Sequence, residues 1–88
     1  MSIDVTKILQ DHLAYIQTQG KSGAKANLNW VDLSGADLRE ADLRWADLNW
    51  VNLSKADLRK AHLNWASLVD ANLSGADLSG ADLIVGLS

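Results

Sequence analysis

The chain has 88 residues, with 8 Lys and Arg against 11 Asp and Glu for a net charge of −3, and it contains no Cys. A chain of this length makes one small domain, and without cysteine it has neither a disulfide framework nor a thiolate metal site to staple it. The mildly acidic balance argues against direct binding to a nucleic-acid backbone.

Residues 1–7 lack the basic start and long apolar run of a secretory signal, and no segment has the length to span a bilayer, so a cytoplasmic location is expected. Residues 4–19 read as a helix. Asp4 is placed as its N-cap, Val5, Ile8, Leu9, Leu13 and Ile16 form one apolar face, and Gly20 suits the C′ position. His12 sits on this helix with no partner that the sequence names. Residues 21–25 are polar and unrepeated, and serve as a connector. Residues 1–25 are therefore expected to cap a second region, 26–88, whose strand edges would otherwise recruit other chains.

From Ala26 onward a unit of the type Ala-Asp-Leu-x-x returns every five residues. The central Leu falls at Leu28, Leu33, Leu38, Leu43, Leu48, Leu53, Leu58, Leu63, Leu68, Leu73, Leu78 and Leu83, with Ala or Val two places before each. A period of five suits no straight element. On a helix each step rotates Leu by roughly 140°, and on a strand each step throws it to the opposite face. These residues share one core only if the backbone turns a corner in every unit. The chain then coils around its own leucine column, with the residue two before Leu pointing inward beside it.

The number of units per coil follows from which positions share an environment. In the two columns after Leu, comparing residues 29–48 with the sequence shifted by 20 gives five identities: Asn29/Asn49, Trp30/Trp50, Ser34/Ser54, Arg39/Arg59 and Trp45/Trp65. Shifts of 5, 10 and 15 give two, none and two. Four units per coil and about three coils are expected, a stack about 14 Å tall at the spacing of paired strands.

Tandem Ala-Asp/Asn-Leu-x-x units over residues 26–85 resemble the pentapeptide repeat family. The resemblance implies an all-β, right-handed quadrilateral β-helix, here a solenoid of about three coils with an N-terminal α-helical cap. It also implies that the central residue and the one two before it face inward while the other three face solvent. Family members often dimerise through the C-terminal coil, and some mimic DNA to inhibit type II topoisomerases.

The column before Leu (Asn27, Asp32, Asp37, Asp42, Asp47, Asn52, Asp57, His62, Ser67, Asn72, Asp77 and Asp82) resembles a carboxylate ladder, but Asp and Asn at repeated corners are expected to accept backbone amide bonds. His62 stacks between Asp42 and Asp82 and lacks a third convergent ligand of the right kind, so no metal and no cofactor are expected. Ser34, Ser54 and Ser74 share a column away from His62, the Ser-Gly pairs are corners rather than a phosphate loop, and a filled leucine interior leaves no cleft. Catalysis is not expected and no catalytic residue is assigned.

Trp30, Trp45, Trp50 and Trp65 all fall on the second position after Leu, in two stacked pairs on neighbouring sides, and Val69, Ile84 and Val85 extend those sides. Asn29, Asn49, Arg44 and Asn64 border them. The other two sides carry Ser34, Ser54, Arg39, Arg59, Glu40, Lys55 and Lys60, an ordinary solvated surface. An exposed aromatic patch of this size marks an interface more readily than a ladder that only stiffens the wall. The expected role is a non-catalytic protein-interaction or scaffold module, its partner a protein and preferably a second copy meeting at the C-terminal coil. Two alternatives are a DNA-mimic inhibitor of a type II topoisomerase and, more distant, a carbohydrate-binding module. The mimic fits poorly. About 14 Å of duplex carries about 8 phosphate charges. The repeats instead oppose Asp32, Asp37, Glu40, Asp42, Asp47, Asp57, Asp70, Asp77 and Asp82 with Arg39, Arg44, Lys55, Arg59 and Lys60, a net of −4.

Overall fold

A computed structural model describes residues 5–84. The helix α1 runs over Val5–Gln17, and the chain from Ala26 onward winds as a coil. Asp4, expected as the N-cap, and Val85 lie outside the described residues.

The end of α1 comes earlier than expected, and its cap is shifted by one residue. Gly20 N–H donates to Tyr15 O at 2.8 Å and Gln19 N–H to Ile16 O at 3.3 Å. That pair of bonds is the Schellman closure, in which Gln19 (φ 56°) is the C′ residue and Gly20, also left-handed at φ 85°, follows it as C″. Gly20 is therefore not the C′ residue.

The connector then folds back on the helix, where Ala24 N–H donates to Asp11 O at 3.0 Å. The approach requires Gly23, which is left-handed (φ 73°). A Cβ there would stand 2.2 Å from the carbonyl oxygen of Asp11 and 2.7 Å from the Tyr15 nitrogen. Both obstacles are backbone, so the helix and connector must separate to admit a methyl group. Gly23→Ala is expected to lower stability by about 2–3 kcal/mol, read as a drop in the urea midpoint at unchanged slope.

Each later unit is a corner of fixed design. The first residue of each unit from Val31 to Ala81 donates its N–H to the preceding Leu carbonyl, as in Val31 to Leu28 at 3.2 Å and Ala61 to Leu58 at 3.0 Å. Within the corner only the second residue after Leu is left-handed, whether Gly35, Gly75 and Gly80 or the side chains of Trp30, Glu40 and Lys60. An i to i+3 bond with positive φ at the second central residue alone defines a type II turn.

Corners of this kind leave three residues for each side, and only the middle one bridges to the next coil. Parallel bridges join Asn27 to Asp47, Asp32 to Asn52, Asp37 to Asp57 and Asp42 to His62, and continue upward to Ser67, Asn72, Asp77 and Asp82. Every bridge spans 20 residues, which places four units in each coil. On the first side, Leu28 N–H donates to Asp47 O at 2.8 Å and Asp47 N–H to Ala26 O at 3.0 Å. The all-β expectation is narrowed here. Among the described residues the coil holds isolated bridges rather than extended strands, because two of every five residues are spent on the turn.

The sides are named by their leucines: the first holds Leu28, Leu48 and Leu68, the second Leu33, Leu53 and Leu73, the third Leu38, Leu58 and Leu78, and the fourth Leu43, Leu63 and Leu83. In the first two coils all eight leucines are buried, with Ala26, Ala46, Val51, Ala56, Ala61 and Ala66 beside them. Leu68, Leu73 and Leu78 are half-buried. Leu83 departs from the core expectation at 46% exposed, since no described residue covers the third coil at that corner.

At the other end α1 covers the first coil with Val5, Ile8 and Leu9. Leu13 is exposed, and the residue buried in the apolar face is His12, at 0% exposure. Its Nδ1 accepts the Ala26 N–H at 2.9 Å and its Nε2 meets the Arg44 carbonyl at 2.7 Å. Since Nδ1 accepts, Nε2 carries the proton and donates. One imidazole thus fastens the helix to the start of the first coil and to the corner that closes it.

Candidate interaction surface

The four Trp occupy left-handed corner positions, with φ between 56° and 69°. They point outward as expected, with exposures of 71% for Trp30, 54% for Trp45, 44% for Trp50 and 51% for Trp65. Trp30 stacks on Trp50 with centroids 4.7 Å apart and planes 2° from parallel, and Trp45 stacks on Trp65 at 5.7 Å and 19°. The two stacks stand at the two corners that bound the first side. Val69 and Ile84 are exposed in the third coil.

The backbone does not ask for indoles there. A left-handed L-residue costs about 1–2 kcal/mol, which Gly avoids at the equivalent corners, whereas a stacked aromatic pair returns about 0.5–1.5 kcal/mol. Mutual stacking therefore offsets only part of two left-handed placements.

The column before Leu divides the four sides. At Asn27, Asp32, Asp37, Asp42, Asn52, Asp57, Asn72 and Asp77 the side-chain oxygen accepts the N–H two residues ahead, at 3.0 to 3.2 Å. These eight do what turn chemistry requires. Four do not: Asp47 and Ser67 on the first side, His62 and Asp82 on the fourth. On the second and third sides every member of the column is committed to its turn.

The reason is visible at Asp47. The N–H it would bind, that of Asn49, is taken by Asn29 Oδ1 from the coil below at 2.7 Å, and Asn49 Oδ1 in turn accepts the Val69 N–H at 3.1 Å. This asparagine ladder frees the Asp47 carboxylate, which lies 3.6 Å from Lys25. Ser67 donates its hydroxyl to Asn49 Oδ1. On the fourth side His62 Nδ1 lies 2.9 Å from Asp82 Oδ2, while Asp42 is held by Arg44 through two bonds of 2.9 and 2.7 Å. A depression of about 530 Å³ lies there among Asp42, Arg44, Trp45, His62, Asn64, Trp65 and Asp82. No cluster of metal-ligating groups is present among the described residues.

Three carboxylates of the column, Asp37, Asp42 and Asp57, are each compensated by an arginine. Arg39 and Arg59 clasp Asp37 and Asp57 through paired bonds of 2.7 to 2.8 Å. The Arg39 guanidinium beside Asp37 lowers its pKa to about 2. Arg44 and Arg59 likewise hold Asp42 and Asp57 below the usual carboxylate range, and bonds from Ser34 and Ser79 do the same for Asp32 and Asp77. A carboxyl depressed by folding stabilises the fold above its unfolded value, and that contribution is lost as pH falls through the folded value. The urea midpoint is therefore expected to decline as pH falls from 4 towards about 2. The decline should be smaller in Asp37→Asn, and an equal decline in both chains would dismiss the Arg39 contact as its source.

The pattern of the pentapeptide repeats, in 8 copies, matches residues 26–64 and 46–83, together well over half of the sequence. The chain belongs to the pentapeptide repeat family. Pentapeptide repeats generally form a right-handed quadrilateral β-helix, which agrees with the four-unit coil, and such proteins are typically structural or interaction modules rather than enzymes. No curated protein matches the chain. No helix among the described residues of this pentapeptide repeat chain is long and apolar enough to cross a membrane. Sequence reasoning placed the four indoles outward but missed the asparagine ladder and the side chains it frees. The Asn29/Asn49 identity at a shift of 20 was the available signal.

Proposed function

We propose that this chain is a non-catalytic protein-interaction module, a right-handed β-helix in the cytoplasm whose binding face comprises the first and fourth sides. One observation carries the reading. Every departure from the turn chemistry of the column before Leu falls on the two sides next to the Trp45/Trp65 stack, and none falls on the other two. Side chains released from the turn bond and indoles placed at left-handed corners have accumulated in the same place, and exposed aromatic area beside polar groups is what interfaces use. The open upper edge of the third coil offers a second contact. The N–H groups of Leu68, Leu73 and Leu78 face upward with no bond among the described residues, and a second copy pairing there completes a dimer.

The DNA-mimic reading is weaker, because Asp37, Asp42 and Asp57 are each neutralised by a clasping Arg. A topoisomerase supercoiling assay showing inhibition would restore it. The leading reading is tested by sedimentation of the intact chain beside Trp45→Ser/Trp50→Ser and Leu78→Asp. Loss of association in the double Trp variant places the contact on the indole face. Loss in Leu78→Asp alone places it at the open coil, and a monomer in every case removes self-association from the proposal.

A further inference from the structure

One cavity lies between the cap and the coil rather than on the coil itself. It measures about 410 Å³ and is bounded by Tyr15, Ile16, Gln19, Lys25, Arg44 and Trp45. Trp65 covers one face of Trp45 from the coil above, so the indole face on the N-terminal side borders this space. Across it stand Ile16 and Tyr15, both half-buried, and the Tyr15 ring is steadied against His12 with centroids 6.2 Å apart and planes 15° from parallel. A flat ring entering here adds one layer to the Trp45/Trp65 stack.

The polar groups around the opening are donors. Arg44 spends Nε and Nη2 on Asp42, which leaves its Nη1 hydrogens for another acceptor. Lys25 stands 3.6 Å from Asp47, beyond good hydrogen-bond length, and retains donor capacity. Gln19 adds an amide. Each cation already faces one carboxylate, but its remaining donor hydrogens, together with the aromatic walls, specify a ligand that is flat at one end and carries strong acceptor oxygens at the other.

We propose that this cavity binds a planar aromatic ring bearing a carboxylate or a phosphate, the ring stacked on Trp45 and the anion held by Lys25 and Arg44. Its walls come from α1 and from the first coil, so an occupant ties the cap to the tube and raises the stability of the whole chain. The site shares Arg44 and Trp45 with the fourth-side surface but takes its other walls, Tyr15, Ile16, Gln19 and Lys25, from α1 and the connector, and its small-ligand test is independent of association.

Indole-3-acetate and AMP, as carboxylate and phosphate probes, are titrated against the full chain, with indole, adenosine and inorganic phosphate as controls. The readouts are Tm and the indole N–H resonances. At least one anionic ring is expected to raise Tm and to shift the Trp45 resonance saturably with a midpoint near or below about 1 mM, while its uncharged ring binds about tenfold more weakly. The responding probe identifies the anion. Lys25→Gln, which leaves the stack intact, is expected to abolish the advantage of the anionic ring. Trp45→Leu removes ring binding and Trp30→Leu preserves it. Silence from both anionic rings in the intact chain overturns the proposal, as does equal binding of charged and uncharged rings or a response to inorganic phosphate alone.

Discussion

Replacing His12 by Ala is expected to lower the stability of the chain by about 3–5 kcal/mol and to release α1 from the coil. The imidazole is fully buried and satisfies two backbone groups at once, the N–H of Ala26 and the carbonyl of Arg44. Truncation leaves both without a partner at a cost of about 1–3 kcal/mol each, and the emptied ring volume adds a cavity. Leucine at this position separates the two contributions, since it fills most of the space yet offers neither nitrogen. Amide hydrogen exchange provides the local reading: protection at Ala26 should collapse in both variants, while protection at Leu53 and Leu58, whose N–H groups bond within the coil at 2.8 Å, should outlast it. A His12→Leu chain as stable as the original would show that burial, and not the paired hydrogen bonds, holds the cap.

His12 also shows where the sequence stops being readable. Residues 5, 8, 9, 12 and 16 lie on one stripe of a helix, so position 12 was geometrically available to the core. Ranking side chains by hydrophobicity selected Leu13 in its place. What reverses the choice is a pair of backbone groups 14 and 32 residues further on, and only the docked fold brings them to the ring. The coil itself was legible because its rule is local. A five-residue period forces a corner, and residues stacked 20 apart resemble each other because they meet the same surroundings. The indole pairs followed from the same rule.

The released carboxylate at Asp47 was not legible. In one dimension Asp47 and Asp37 are the same residue in the same motif, and they differ because Asn29 captures the next coil's amide on one side and no counterpart does so on the other. Cap placement failed for a related reason. Glycine is the usual left-handed residue, but the register of the last turn put Gln19 at C′ and left Gly20, itself left-handed at φ 85°, one place beyond. Periodicity likewise treats Leu83 and Leu58 as equals, although burial also depends on what lies above the coil.

That last contrast sets the largest expected effect. Leu58→Asp is expected to abolish folding. Leu58 is at 0% exposure in the middle coil, with leucines of the other three sides around it. A carboxylate there has no water and no cation within the tube. Even if it takes up a proton, the fold loses the burial of a leucine, about 2–3 kcal/mol, and adds a desolvated polar group costing several more. Domains of this size hold only about 5–15 kcal/mol in total. Leu83→Asp introduces the same side chain into the same column of the repeat, at a position 46% exposed. Its expected cost is about 1 kcal/mol, because water already reaches the site. Circular dichroism and urea titration of the two variants together separate the sources of stability. A folded Leu58→Asp chain, or two variants that lose stability equally, would mean that the leucine column is not the continuous core on which the coil depends.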